Sequence, residues 1–329
     1  MTAYSLKALM AGAALAVLAG SAMAQSKMDF ASPWPETNFQ NVAAHKFAEA
    51  VKEATDGSVD ITIHLGSEIG VKASEALAAV ENGTVQMGSV LLFLQAGEEP
   101  ALAMDTLPFL IRGQAEMKLF LDAASPLYDE IAARHNQKIL YYVPWPSPGV
   151  YSRTKISSAQ EISGVRIRAF NPASFQFLTL LGAAPLEMPW GDVSPALAAG
   201  AIDGVATSTS SGVDSKLWDL TSFFSPMQWS TSTEAVTISL DAWNALSAEE
   251  QGKIEELAAG MQDEFWALSA AEDETKGNIL AENGMTIVQP DESLMKLMSE
   301  SGRTMWNEFV ARVPEAGPVI EAYTKAAGK

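Results

Sequence analysis

Two arginines on one predicted strand offer the clearest chemistry in the sequence. Side chains alternate between the faces of a strand, so Arg166 and Arg168 share a face within the predicted strand 165–170. No acidic residue lies on that segment. A guanidinium presents a planar set of donors that fits a carboxylate bidentately. The pattern indicates a carboxylate-binding site, and two solvated surface arginines are the alternative.

Several aromatic residues fall at predicted strand ends or in turns rich in proline and glycine. Such positions often line ligand clefts, where a ring face packs on the apolar surface of a ligand. Core packing is the alternative for any single ring. The residues placed in this way are Trp34, Trp145, Tyr151, Phe170 and Trp190.

The patterns of common catalytic and cofactor sites are missing. The chain has no cysteine, and its histidines, His45, His64 and His135, are scattered. It contains no dinucleotide-binding or P-loop glycine motif and no G-x-S-x-G turn. Glu187 with Asp192 could serve a glycosidase, but with 40 acidic residues chance proximity is common. The sequence therefore shows no grouping that supports catalysis, and we expect no catalytic residue, cofactor or metal ligand.

The elements that must position these residues begin with an alternation of strands and helices. Strands are predicted over 28–32, 59–65 and 85–92, with helices over 38–55 and 74–80 between them. This β-α-β-α-β order predicts an α/β sheet with helices on its faces.

A second block with the same alternation follows a helix predicted over 113–134. Between the blocks, Pro144, Pro146 and Pro148 surround Trp145, and such dense prolines disfavour both helix and interior strand. We interpret this segment as a crossing between two lobes, and expect a second crossing near Pro226 and Trp229. Further strands are predicted over 138–143, 149–153, 165–170, 205–208 and 233–240, and helices over 173–181 and 193–199.

One long helix is predicted over 247–283. Ser247-Ala248-Glu249-Glu250 resembles a capping box, and Asn283-Gly284 is a typical helix end. At 3.6 residues per turn this is roughly nine or ten turns, enough to span both lobes. A strand over 285–288 and a helix over 293–312 complete the prediction.

The composition limits the partners. The 329 residues are 48% hydrophobic, which suits one large or two medium globular domains. With 21 basic and 40 acidic residues the net charge is −19, which excludes a nucleic-acid partner and disfavours an anionic membrane surface. The same charge repels anionic ligands, so a locally positive cleft around Arg166 and Arg168 is expected.

The first residues predict export. Lys7 precedes an apolar run over 8–20, and Ala22-Met23-Ala24 has the form of a signal-peptidase site. We expect a signal peptide over 1–24, cleavage before Gln25, and a periplasmic mature protein. An uncleaved membrane anchor is the alternative, but the apolar run falls short of the ~20 residues that a spanning helix needs.

A series of short segments, in order, marks a known family. They are Ala44-x-x-Phe47-Ala48-x-x-Val51, Gly57-Ser58-Val59, Leu107-Pro108-Phe109, Gly164-Val165-Arg166-Ile167-Arg168, Gly182-Ala183-Ala184-Pro185, Pro189-Trp190 and Ile202-Asp203-Gly204. Their order and spacing resemble the periplasmic solute-binding proteins of tripartite ATP-independent periplasmic (TRAP) transporters, the DctP-like family, over nearly the whole mature chain.

The resemblance implies a two-lobed α/β periplasmic binding protein fold, with mixed sheets, crossing strands and a long helix spanning both lobes. Lobe I would comprise residues 25–145 with 233–272, and lobe II residues 146–232 with 273–329. It also implies an organic-acid ligand and a TRAP membrane permease as partner. By the same resemblance, Arg168 binds the carboxylate, Trp190 supplies an aromatic wall, and Thr207 and Ser208 supply polar contacts.

The sequence departs from the sialic-acid-binding members of that family. Pro148 stands where they carry a second arginine, and Ala206-Thr207 replaces a Glu-Asn pair. These differences, together with the aromatic residues Trp34, Phe93, Trp145 and Tyr151, favour a smaller or less hydroxylated acid.

We therefore expect a receptor that captures a small carboxylate between two lobes, closes about a hinge and delivers the ligand to a permease. A binding protein of an ATP-driven importer, a binder of sugar acids or uncharged polar solutes, and a secreted hydrolase are the alternatives. The expected ligand-binding residues are Arg168, Trp190, Phe170, Asn171, Trp34, Phe93, Trp145, Tyr151, Thr207 and Ser208.

Overall fold

Two mixed β-sheets with helices on their faces form the protein. The structure is a computed structural model and describes residues 25–329; the predicted signal peptide lies outside the described residues. The strands are β1 (Ser26–Ala31), β2 (Val59–His64), β3 (Met87–Leu91), β4 (Gln137–Trp145), β5 (Gly149–Ser152), β6 (Arg166–Ala169), β7 (Ala184–Glu187), β8 (Gly204–Thr207), β9 (Phe223–Ser225), β10 (Ser232–Ser239) and β11 (Thr286–Ile287). The expected α/β architecture is confirmed.

The helices cover the faces of both sheets. They are α1 (Phe39–Ala54), α2 (Ala76–Glu81), α3 (Gly113–Arg134), α4 (Ala159–Ile162), α5 (Pro172–Leu180), α6 (Val193–Ala198), α7 (Thr209–Asp214), α8 (Leu240–Ala245), α9 (Ala248–Glu282), α10 (Glu292–Arg312) and α11 (Ala316–Ala327). Within residues 25–329, no helix is both long enough and apolar enough to cross a membrane.

Strand order assigns each sheet to one lobe. The first sheet has the order β2-β1-β3-β10-β4, and the second has the order β11-β9-β5-β8-β6-β7. The chain leaves the first sheet at the end of β4 and returns to it at the start of β10. These are the two expected crossings.

The first crossing is shorter than the prolines suggested. β4 continues through Pro144, which pairs with Thr233 of β10. The strand therefore extends two residues beyond the predicted 138–143, while the expectation that these prolines disfavour an interior strand agrees with its position. β4 is an edge strand, where a residue without an N–H can be accommodated.

Helix α9 is a single element of 35 residues and joins the lobes as predicted. The Ser247 side chain accepts from the Glu250 N–H, and the Glu250 carboxylate accepts from the Ser247 N–H at 2.8 Å, so the capping box is formed. Along its length the helix contacts α1 and β4 of the first lobe and α7 of the second.

The C-terminal end of the chain returns to the first lobe. Helix α11 packs against α3, with the ring of Tyr323 5.6 Å from that of Phe120 and its hydroxyl donating to the Leu110 carbonyl at 2.8 Å. The expectation that all of 273–329 belongs to lobe II was therefore wrong for α11. Its apolar face is covered by α3, a contact distant in sequence.

Candidate functional site

The topology brings the ends of several strands to two facing edges, one on each sheet. In the second sheet, Gly149 at the start of β5 pairs with Thr207 at the end of β8, which runs parallel to β6. In the first sheet, Trp145 pairs with Ser232 at the start of β10. Because the crossings join these ends, the edges that carry the predicted site residues face each other.

Arg168 lies near the C-terminal end of β6, at the edge formed by the strand ends of the second sheet. It is buried, with 6% of its surface exposed. Its Nε donates to the Met188 carbonyl at 3.2 Å and its Nη1 to the Ala206 carbonyl at 3.3 Å. Within residues 25–329 the guanidinium forms no ion pair. Burial lowers the Arg168 pKa to about 10, against the opposing charge of Glu187, so the group is a cation at neutral pH.

Arg166 does not share this environment. Its side chain is 45% exposed, and it donates to Asp203 at 2.8 Å from Nε and at 2.6 Å from Nη2. The expectation of a positive cleft formed by both arginines was wrong for Arg166. The residue begins β6, beside the aspartate that precedes β8, so it lies at the end of the strand away from the crossings.

Trp190 and Phe170 flank Arg168 on the second lobe. The guanidinium carbon of Arg168 lies 5.4 Å from the centre of the Trp190 ring, within range of a cation–π contact. Phe170 lies 5.4 Å from Phe93 of the first lobe and stacks on Trp229 with an interplanar angle of 8°. The two lobes therefore meet through aromatic rings beside the buried cation.

Trp34 and Trp145 form a second cluster, on the edge of the first sheet. Their ring centres are 4.8 Å apart in an edge-to-face arrangement. Both indole N–H groups donate to the carboxyl group of Glu234 at 2.9 Å. Glu234 has 0% exposure, and burial raises its pKa to about 8 despite the two indole donors.

Sequence reasoning missed Glu234. The available signal was an acidic residue inside the β-rich run Ser232-Thr233-Glu234-Ala235-Val236. A charged residue in a strand that is otherwise buried needs a partner, and its placement there indicates a specific polar environment.

Asn171 and Ser208 cap helices. The Asn171 side chain accepts from the Ser174 N–H at 2.8 Å and donates to the Thr106 hydroxyl at 3.2 Å, so both ends of its amide are used. Ser208 accepts from the Ser211 N–H at 3.2 Å. Both side chains are therefore used in capping, and their contact with a ligand stays a prediction.

Tyr151 and Thr207 complete the expected set. Tyr151 is fully buried, with its ring 4.4 Å from that of Phe224 and its hydroxyl donating to the Ser208 carbonyl at 3.2 Å. These contacts place Tyr151 in the core of the second lobe. Thr207 is 8% exposed at the end of β8, two residues beyond the partner of Arg168 in the ladder.

Comparison with known proteins agrees with this geometry. The model of bacterial extracellular solute-binding protein family 7, DctP, matches residues 30–312. The extracytoplasmic solute receptor DctP6 of Bordetella pertussis, described as binding pyroglutamic acid, is similar in structure with a TM-score of 0.86, 27% identity, and coverage of 91% of this chain and 99% of that chain.

Two further proteins extend the comparison. A TRAP solute-binding protein from a marine metagenome, specific for pyroglutamate, has a TM-score of 0.85 and 27% identity, covering 92% of this chain and 99% of its own. The ectoine/5-hydroxyectoine-binding periplasmic protein UehA of Ruegeria pomeroyi is 23% identical over 96% of this chain and 94% of its own. The chain belongs to the DctP family of bacterial extracellular solute-binding proteins, and it is a TRAP solute receptor rather than an enzyme.

Proposed function

We propose that this receptor captures a small organic acid and that Arg168 is the group that binds the carboxylate. The observation that carries the proposal is the state of this side chain: a buried cation whose bonds within residues 25–329 go to neutral main-chain carbonyls. Burying an unpaired charge is costly, and a ligand carboxylate would supply the missing counter-ion. Its planar donor set would form a charge-assisted pair with both carboxylate oxygens.

The aromatic rings on Trp190 beside Arg168 and on Phe93 and Phe170 where the lobes meet favour a compact acid without hydroxyl groups. Phe93, Phe170 and Trp190 offer flat surfaces and no hydrogen-bond acceptor for the hydroxyl groups of a sugar. Pyroglutamic acid, the ligand of two structurally similar receptors at 27% identity, is a compact ring without hydroxyl groups. We therefore propose a small cyclic or short-chain carboxylate as the ligand class.

Delivery to a TRAP membrane permease follows from the family to which the chain belongs. A ligand that contacts Arg168 of lobe II and Phe93 of lobe I binds the closed arrangement of the lobes more tightly than an open one. We propose that ligand-driven closure about the two crossings and α9 presents the loaded receptor to the permease. We also propose export to the periplasm with cleavage before Gln25, which leaves β1 starting at the next residue.

Thermal-shift screening tests the ligand class. The purified mature protein would be screened against pyroglutamate, 2-oxoacids, dicarboxylates, sugar acids and uncharged polyols. A specific ligand at 100 times its Kd should add about 2.7 kcal/mol to the free energy of unfolding. Shifts confined to compact carboxylates are expected. If only uncharged compounds raise the melting temperature, the proposed carboxylate anchor is wrong.

A further inference from the structure

We propose that Glu234 is a second anchor, which accepts a hydrogen bond from an N–H group of the ligand whose carboxylate Arg168 binds. The receptor would then select carboxylates that carry such a nitrogen, such as lactams, imino acids or amidines. The inference rests on the proposed function, because it assumes that Arg168 holds the carboxylate.

Topology places Glu234 on the edge of the first sheet that faces Arg168. It lies near the start of β10, directly after the chain has crossed from the second lobe, and pairs with Leu91 at the end of β3. Phe93, two residues after Leu91, contacts Phe170, two residues after Arg168. A buried carboxyl group and a buried cationic group therefore lie on facing edges, beside rings that touch.

Neither group has a partner of opposite charge in the described part of the chain. The contacts of Glu234 there are the indole N–H groups of Trp34, which reaches both carboxyl oxygens, and of Trp145, which reaches Oε2. A carboxylate offers about four acceptor positions, so two indole donors leave capacity on the group. A carboxyl oxygen also accepts a hydrogen bond when the group is protonated, so the proposed contact exists in either state.

Glutamine is the reference side chain for judging what the carboxyl group of Glu234 adds at this position. Glutamine has the same length, and its amide oxygen accepts from an indole N–H without the cost of burying a charge. The carboxyl group differs from the amide because both of its oxygens can accept a hydrogen bond, whereas the amide nitrogen only donates. That difference matters for a ligand that brings an N–H, because the amide nitrogen would oppose it.

The test is isothermal titration of the mature protein with two pairs of probes that differ only at the nitrogen. Pyroglutamate is paired with 3-oxocyclopentane-1-carboxylate, and proline with cyclopentanecarboxylate, so that a methylene replaces the ring nitrogen in each. We expect the wild-type receptor to bind the nitrogen-containing member of at least one pair at least tenfold more tightly. The Glu234→Gln variant should lose this preference while still binding the carbocyclic acid.

Glu187→Gln is the matched control, because Glu187 is an exposed acid next to Arg168 in the second sheet. It should keep the wild-type preference, and melting curves of all variants monitor folding. Equal affinity within each pair for the wild-type protein, a preference retained by Glu234→Gln, or binding of neither nitrogen-containing probe would each overturn the inference. The proposed function fails separately, when no carboxylate in the thermal-shift screen stabilises the protein.

Discussion

Arg166 and Arg168 lie two residues apart on β6 and have opposite environments. Arg166 is at the start of the strand, exposed and paired with Asp203, and this hydrogen bond holds its pKa above the usual value. Arg168 is nearer the crossings, buried, and bonded to main-chain carbonyls. Arg166 therefore forms an ion pair at the surface, whereas Arg168 is a candidate anchor for a ligand.

This contrast predicts the effect of substituting each arginine by lysine. Arg168→Lys keeps the charge but loses the planar donor set, and it should weaken binding of a stabilising carboxylate roughly 10- to 1000-fold, as expected for loss of a desolvated charge-assisted pair of about 1.5–3 kcal/mol or more. Arg166→Lys is the control and should change Kd by less than about twofold, since exposed pairs contribute little. Titration calorimetry measures both.

Equal losses for the two variants would contradict the assignment of the anchor to Arg168. An unchanged Kd for Arg168→Lys in a correctly folded protein would do the same. Melting curves of the ligand-free variants separate a loss of binding from a loss of stability.

The ends of helices α2 and α3 are joined through His135. This residue follows α3, and its ring contacts Glu81 at 2.7 Å through Nδ1 and Glu99 at 3.1 Å through Nε2. Burial lowers the His135 pKa, but the hydrogen bonds to the two carboxylates outweigh it, and the net shift is upward. Protonation of the ring therefore strengthens the junction between these elements.

A histidine whose pKa is raised by folding stabilises the folded state. This stabilisation is fully present below the pKa of the unfolded state, about 6.5, and is lost as pH rises through the pKa of the folded state. We expect His135→Gln to be less stable than wild type at pH 6, with the difference shrinking by pH 8.5. Urea unfolding at both pH values measures it. His45→Gln, on the exposed face of α1, is the control for substituting a histidine outside this junction. A His135→Gln deficit that is the same at both pH values would rule out the proposed ionic contribution.

At the scale of the molecule, polar contacts accompany the aromatic contact between the lobes. The Asn38 amide nitrogen donates to Asp214 of α7 at 3.0 Å, while its oxygen caps α1 by accepting from the Gln40 N–H. Lys276 of α9 lies 4.0 Å from the same aspartate. Asn38 thus serves one lobe through its oxygen and the contact between lobes through its nitrogen.

Two substitutions separate these roles. Asn38→Ser and Asn38→Asp both retain a good helix cap, but the first removes the donor to Asp214 and the second faces it with a like charge. We expect ligand affinity to fall about tenfold for Asn38→Ser, from a charged hydrogen bond of about 1.5 kcal/mol, and further for Asn38→Asp. Calorimetry gives the affinities and stopped-flow dissociation the release rates. Affinities equal to wild type for both would show that the contact does not stabilise closure.

The local elements were predictable because their signals are local. The period of the apolar residues predicted α3 over 113–134, and the Ser247 capping box with Asn283-Gly284 delimited α9 closely. The alternation of strands and helices indicated an α/β protein, and the ordered motifs indicated the family and led to the proposal that Arg168 binds the carboxylate. Each of these depends on residues close together in the chain, where spacing and side-chain chemistry are sufficient.

Contacts between distant segments required the tertiary structure. The environment of Arg166 depends on Asp203, and that of Arg168 on the main-chain carbonyls of Met188 and Ala206, all of which lie in other segments of the chain. The packing of α11 in lobe I depends on α3. Glu234 became a candidate site residue only because the fold places the indole N–H groups of Trp34 and Trp145 beside it. Burial and charge pairing are properties of the assembled lobes, so the sequence determined which residues could carry the chemistry, and the fold decided which of them stand unpaired.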